Sequence, residues 1–171
     1  QELANPYKMV GKSPSQPEEI NRVRISGKTV SIPGGLQGPA MELTPTETEG
    51  ALLVFDRALA ELKKFYPTSR IFVIYLPSPA TSYEVASQRM DLQSYMNRGK
   101  VFDTAAITKR SDWICERIMG LVKDQNIPFF DARAALRQAA VKTPIHGPKD
   151  WKHLNQRGYT ALGEKMTALL K

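Results

Sequence analysis

The sequence predicts an α/β fold: three layers, α/β/α, around a mainly parallel sheet, with a small β-hairpin near the N-terminus. Three observations carry that prediction. Helical and strand-like patterns alternate from residue 44 to the end of the chain, the order that parallel strands joined by crossover helices produce. Ile71-Phe-Val-Ile-Tyr-Leu76 is a continuous apolar run rich in β-branched and aromatic residues, suited to a parallel strand covered on both faces. The chain has 171 residues, 42% of them hydrophobic, enough for one domain with a buried core and too few for two.

The elements follow in order. Residues 1–43 are rich in Pro, Gly, Ser and charge and read as a loop-rich insertion on the surface. Within it, Arg22–Ser26 and Lys28–Ile32 alternate apolar and polar side chains about Gly27, a hairpin pattern that Pro33-Gly34-Gly35 ends. Residues 44–171 form the α/β core. Thr44-Pro45-Thr46-Glu47 combines an N-cap, a proline at the first helical position and a capping-box glutamate. The helix it opens carries Leu52, Leu53, Phe55, Leu59, Leu62 and Phe65 as an apolar stripe and stops before Pro67.

After the strand at 71–76, a helix is expected from about Phe102 to Asn126, with Ile107, Ile114, Ile118, Leu121 and Val122 at helical spacing. Ile127-Pro-Phe-Phe-Asp131 reads as a short strand whose proline belongs at its start. A short helix over 132–141, a loop at His146-Gly147-Pro148 and a last helix from Asn155 to Leu170 complete the chain. Asn155 is the expected N-cap, and Tyr159, Leu162, Met166, Leu169 and Leu170 share one face. Two strands are too few for a stable doubly wound sheet, so either the hairpin joins it or strands are missing on the N-terminal side.

Composition narrows the function classes. The net charge is +7, but Lys and Arg are scattered without a dense basic block, which argues against a nucleic-acid partner. No apolar run is long enough for an integral membrane segment. The single cysteine, Cys115, excludes an internal disulfide framework and is read as a small side chain within a helix. The two histidines, His146 and His153, lack paired metal-ligand spacing, so no metal is expected and His146 is read as a loop residue. Asp131, at a strand end, is expected to cap the next helix.

Ligands of open α/β sheets lie beyond the carboxyl ends of the strands, which leaves two segments for chemistry. One is Pro77-Ser-Pro-Ala-Thr-Ser-Tyr83-Glu84. Ser78, Ser82 and Tyr83 are its candidate substrate-binding residues, with Tyr83 offering an apolar body and a polar tip. Neither serine sits in a Gly-x-Ser-x-Gly elbow, and Glu84 reads as a solvated charge. The other segment is Asp150-Trp-Lys-His153. An Asp three residues before a His, entering a helix, can turn its carboxylate onto Nδ1–H, fix the tautomer and leave Nε2 to accept a proton. The same spacing also suits a plain helix or turn cap beside a surface histidine.

The run Asp150-Trp-Lys-His153-Leu-Asn155-Gln-Arg-Gly158, leading into the terminal helix, resembles the last sequence block of the SGNH (GDSL-type) hydrolases. The resemblance implies a serine esterase or acetyl-ester hydrolase with Asp150 as orienting acid and His153 as general base. It needs no cofactor and acts on a small ester or an acetylated carbohydrate. The resemblance favours an exported or periplasmic setting over a cytoplasmic one and leaves the oligomeric state open. The family's Gly-Asp-Ser and Gly-x-Asn-Asp blocks do not occur, and Gln1-Glu2-Leu3 resembles sequence that follows them. The chain is therefore expected to be the C-terminal half of such a domain, inactive alone, with its nucleophile upstream. The alternative is a non-catalytic domain of the same fold that binds a polysaccharide or partner protein.

Overall fold

A computed structural model of the chain describes residues 19–95 and 100–170, with side chains at 168–170 outside the description. Gln1-Glu2-Leu3, and the Leu169 and Leu170 side chains expected on the last helix, therefore lie outside the described residues. Among the described residues the fold is mixed α/β, with four α-helices and small antiparallel and parallel sheets.

The hairpin forms as the alternation requires. Strands β1 (Arg22–Ile25) and β2 (Lys28–Ser31) pair antiparallel around Ser26-Gly27. Both turn residues have positive φ, 52° and 72°, the twist that matches a two-residue hairpin and that glycine adopts without strain. The hairpin does not join the parallel sheet. Instead β1 also pairs with β4 (Glu84–Val85), giving a three-stranded antiparallel sheet ordered β2-β1-β4. Nor does the hairpin lie wholly on the surface: Val23 is fully buried and Ile25 nearly so, because alternate residues of a strand face the same side.

Helix α1 (Pro45–Phe65) begins on the expected capping box, with Thr44 accepting from the Glu47 amide and Glu47 returning the bond to the Thr44 amide. Strand β3 (Val73–Tyr75) pairs in parallel with β7 (Phe129–Asp131), joined through helix α2 (Thr104–Asp124). Pro128 stands just before β7, where its carbonyl accepts from the Val73 amide and its missing N–H costs nothing. Between β3 and α2 lie a 3-10 turn (Pro79–Thr81), β4 and an antiparallel pair, β5 (Arg89–Asp91) with β6 (Val101–Asp103). The sequence patterns do not reveal these short strands. Asp103 caps α2 by accepting from the amides of Ala105 and Ala106. Helices α3 (Arg133–Lys142) and α4 (Gln156–Leu170) pack together at the C-terminal end.

Two cores result. The larger joins Val23, Ile25, Met90, Leu92, Ile107, Leu136 and Ile145, tying the antiparallel strands to α2, α3 and the loop before α4. The smaller packs Leu59 of α1 and Val122 of α2 over Val73 and Phe129. Only Leu52 and Leu59 of the predicted α1 stripe are buried, while Leu53, Leu62 and Phe65 are exposed. Strand β3 departs from expectation in the same way. Val73 packs against the smaller core, whereas Ile74 and, just past the strand, Leu76 point to the opposite face and are 39% and 47% exposed.

The hairpin turn is tied to α3 by two bonds, the Ser26 amide to the Val141 carbonyl at 2.7 Å and the Ser26 hydroxyl to the Lys142 carbonyl at 2.6 Å. They satisfy carbonyls that a helix end leaves without partners. Leu136, on the buried side of α3, has no exposed surface. Leu136→Ala is expected to lower the unfolding free energy by about 2–5 kcal/mol. Urea denaturation followed by circular dichroism measures it, and a loss below about 1 kcal/mol would refute a close-packed core there.

Candidate functional site

The site lies beyond the carboxyl ends of β3 and β7, where an α/β arrangement exposes its loops. A groove of 460 Å³ opens there, lined by Tyr75, Ser78, Tyr95, His146, Lys152, His153 and Tyr159 among others. That size suits a small-molecule ligand.

The loop that carries Asp150 and His153 is held from behind by Asn155. Its side-chain amide donates to the carbonyls of Pro144 at 3.0 Å, His146 at 3.1 Å and, more weakly, Gly147 at 3.5 Å. Its carbonyl oxygen accepts from the amides of Arg157 at 3.0 Å and Gly158 at 3.1 Å, the N-cap bonds of α4. The Asn155 amide itself donates to the Ile145 carbonyl at 2.8 Å. One residue thus starts the helix and closes the loop. Gly158 is required by the same approach, since a Cβ there would lie 2.6 Å from the Ile145 carbonyl oxygen and 2.9 Å from Leu154 Cδ2. Gly147 is a second obligate glycine, with φ of 69° and the Trp151 indole within 2.6 Å of any added Cβ.

Within this frame His153 Nδ1 lies 2.6 Å from Asp150 Oδ2. Asp150 Oδ1 accepts from the Lys152 amide at 2.7 Å and, less directly, the His153 amide at 3.4 Å. Hydrogen bonding from His153 and then from the Lys152 amide holds the Asp150 carboxyl below the usual carboxylate range. A carboxylate so placed keeps Nδ1 protonated and leaves Nε2 as the basic nitrogen. Both side chains are open to water, His153 at 71% and Asp150 at 55%. No serine hydroxyl is hydrogen-bonded to His153 among the described residues.

The three substrate-binding candidates separate. Ser78 lines the groove beside His153, and its hydroxyl pairs with Thr81 Oγ1 at 3.2 Å. Ser82 has no exposed surface, and its hydroxyl donates to the Ser78 carbonyl at 2.9 Å. Tyr83 is 5% exposed and turned inward, so these two support the loop rather than the groove wall. The inward turn follows from backbone need: the Tyr83 hydroxyl accepts from the amides of Ile145 at 3.1 Å and His146 at 3.0 Å. The loop is further fixed by Arg137 Nε, which donates to the Thr81 carbonyl at 3.0 Å. Glu84 is exposed and faces Arg24 at 3.3 Å.

His146 is the residue that sequence reasoning undervalued. It is 3% exposed, with Nδ1 3.0 Å from the Tyr83 hydroxyl, and it also contributes to the groove. Burial pushes its pKa down to about 4, against a smaller opposing pull from Asp150. No local pattern in Lys142-Thr143-Pro144-Ile145-His146-Gly147-Pro148 signals this burial, which depends on Tyr83, 63 residues away. Asp131, by contrast, serves structure. Burial alone would raise its pKa, but bonds from the Arg133 side chain and amide outweigh this and hold it low. Cys115 is buried, and loss of water around the thiol raises its pKa to about 11, far from a nucleophile's.

Among the described residues no group of His, Cys, Asp and Glu is arranged to hold a metal ion, and no helix is long and apolar enough to cross a membrane. No family model matches the chain, and no curated protein or solved structure matches it.

Two outcomes follow from this geometry. Asn155→Ala is expected to cost about 1–3 kcal/mol, since it removes an N-cap and leaves loop carbonyls unpaired. Urea denaturation reads the loss, and an unchanged midpoint would remove Asn155 from its central role. For His146 the folded pKa lies below the unfolded value near 6.5, so the unfolded chain takes up the proton first. Stability is then complete above about pH 6.5 and falls as pH drops toward 4, by on the order of 1–3 kcal/mol. Denaturation midpoints across that range should slope in the wild type and flatten in His146→Gln; equal slopes would contradict the assignment.

Proposed function

We propose that this chain supplies the acid and base of an SGNH-type serine ester hydrolase, with its nucleophile on polypeptide outside these 171 residues. The observation that carries the reading is the 2.6 Å Asp150–His153 pair, set on a loop that Asn155 and Gly158 tie to the start of α4. Those four positions are the ones on which the resemblance to that family rests. A three-layer α/β/α arrangement belongs to the same proposal, with further parallel strands on the open edge of β3.

In the mechanism, His153 Nε2 takes the proton of the serine hydroxyl as its oxygen attacks the ester carbonyl. The imidazolium then returns the proton to the leaving alcohol. In the second half, the same nitrogen deprotonates the water that attacks the acyl-serine carbonyl; the bond from the carbonyl carbon to the serine oxygen then breaks, the imidazolium returns its proton to that oxygen, and the acid is released. Asp150 holds the ring and stabilises its charged form throughout. A small acyl ester, such as an acetylated carbohydrate, fits the dimensions and mixed polarity of the groove.

A specific observation favours a second reading, a non-catalytic domain that binds a polysaccharide or partner protein: the pair is largely exposed, at 71% and 55%. Activity decides between them. The full-length protein is expected to hydrolyse p-nitrophenyl acetate, and His153→Ala to lower kcat by about 10²–10⁴-fold with the fold retained. Turnover equal to wild type in folded His153→Ala would remove His153 as base, and an inactive wild type would favour the binding domain.

A further inference from the structure

The Tyr83 hydroxyl has one proton to give and two lone-pair directions to receive. The amides of Ile145 and His146 occupy both receiving positions, at 3.1 and 3.0 Å. Its proton must therefore be donated, and His146 Nδ1 stands 3.0 Å away. Were Nδ1 protonated, three donors would crowd one oxygen in a buried site and the phenol proton would lack an acceptor. His146 is thus held as the neutral tautomer bearing its proton on Nε2. Burial disfavours the imidazolium and keeps the ring neutral above about pH 4, against the weaker pull of Asp150.

The ring is also fixed in place. Tyr83 lies against it with centroids 5.6 Å apart, and the His146 carbonyl is bound by Asn155. His146 shares the groove with Ser78 and His153. A preoriented donor of this kind needs no rearrangement when a ligand oxygen arrives.

We infer that His146 is a second functional histidine of the groove, whose Nε2–H donates to a carbonyl oxygen of the bound ligand while Tyr83 acts as the positioning residue that sets the tautomer. The two histidines then have opposite roles, His146 as donor and His153 as proton acceptor. The inference rests on the ester-hydrolase reading for the identity of that oxygen as an acyl carbonyl, and on hydrogen-bond geometry for the tautomer.

The test uses ¹⁵N-labelled full-length protein, with acetamide as an uncleaved carbonyl probe. Long-range proton–nitrogen spectra at neutral pH should show His146 protonated at Nε2 and bare at Nδ1, and acetamide should shift the Nε2–H resonance. In His146→Phe, acetamide binding should weaken by about tenfold, the worth of one hydrogen bond in a buried setting. In His146→Gln, whose side-chain N–H reaches a similar place, the loss should be no more than about threefold. Tyr83→Phe should abolish the tautomer preference, and circular dichroism confirms that each variant is folded. A proton on Nδ1 in the wild type, no acetamide response, or wild-type binding in folded His146→Phe would each overturn the inference. A protein that binds acetamide through His146 yet leaves p-nitrophenyl acetate intact keeps the donor and sinks the hydrolase reading alone.

Discussion

Asn155 is the constraint on which the rest of the site depends. A helix start leaves amides without partners, and a tight loop leaves carbonyls without partners. Asn155 carries both an acceptor and donors, so it satisfies the first turn of α4 and the loop at 144–147 together. A serine or aspartate could cap the helix but could not also donate two hydrogens to the loop. With the loop closed in this way, Gly158 is the residue that permits the close approach, and the Asp150–His153 turn has a fixed base.

The second anchor is Tyr83, which meets the same loop from the opposite direction. Its hydroxyl collects the amides of Ile145 and His146, while its ring packs in the main core with Met90, Leu136 and Ile145. The loop at 77–83 and the loop at 144–153 are thereby locked to each other. This explains why Ser82 and Tyr83 are inside while Ser78 remains on the groove: the 3-10 turn over Pro79–Thr81 carries the later residues inward.

Ile74 of β3, Leu76 just after it and the Asp150–His153 pair are all open to water. An apolar strand with side chains such as Ile74 and Leu76 in water gains free energy from any neighbour that covers them. An Asp–His pair in water is a weak electrostatic element, and it strengthens when a covering surface lowers the local dielectric.

Local chemistry was legible in the sequence wherever a short-range rule governs it. The Thr44–Glu47 capping box, the Asn155 cap, the hairpin about Gly27, the proline ahead of β7 and the Asp150–His153 pairing all depend on residues within a few positions of each other. Tertiary structure alone decided what depends on distant partners. Strands β4, β5 and β6 are two or three residues long and exist through their pairing, which no periodicity can register. The hairpin became core rather than surface because β4 and α3 lie beside it. The Tyr83–His146 bond spans 63 residues, so the burial of both side chains, and the donor it creates beside His153, lay beyond any local pattern.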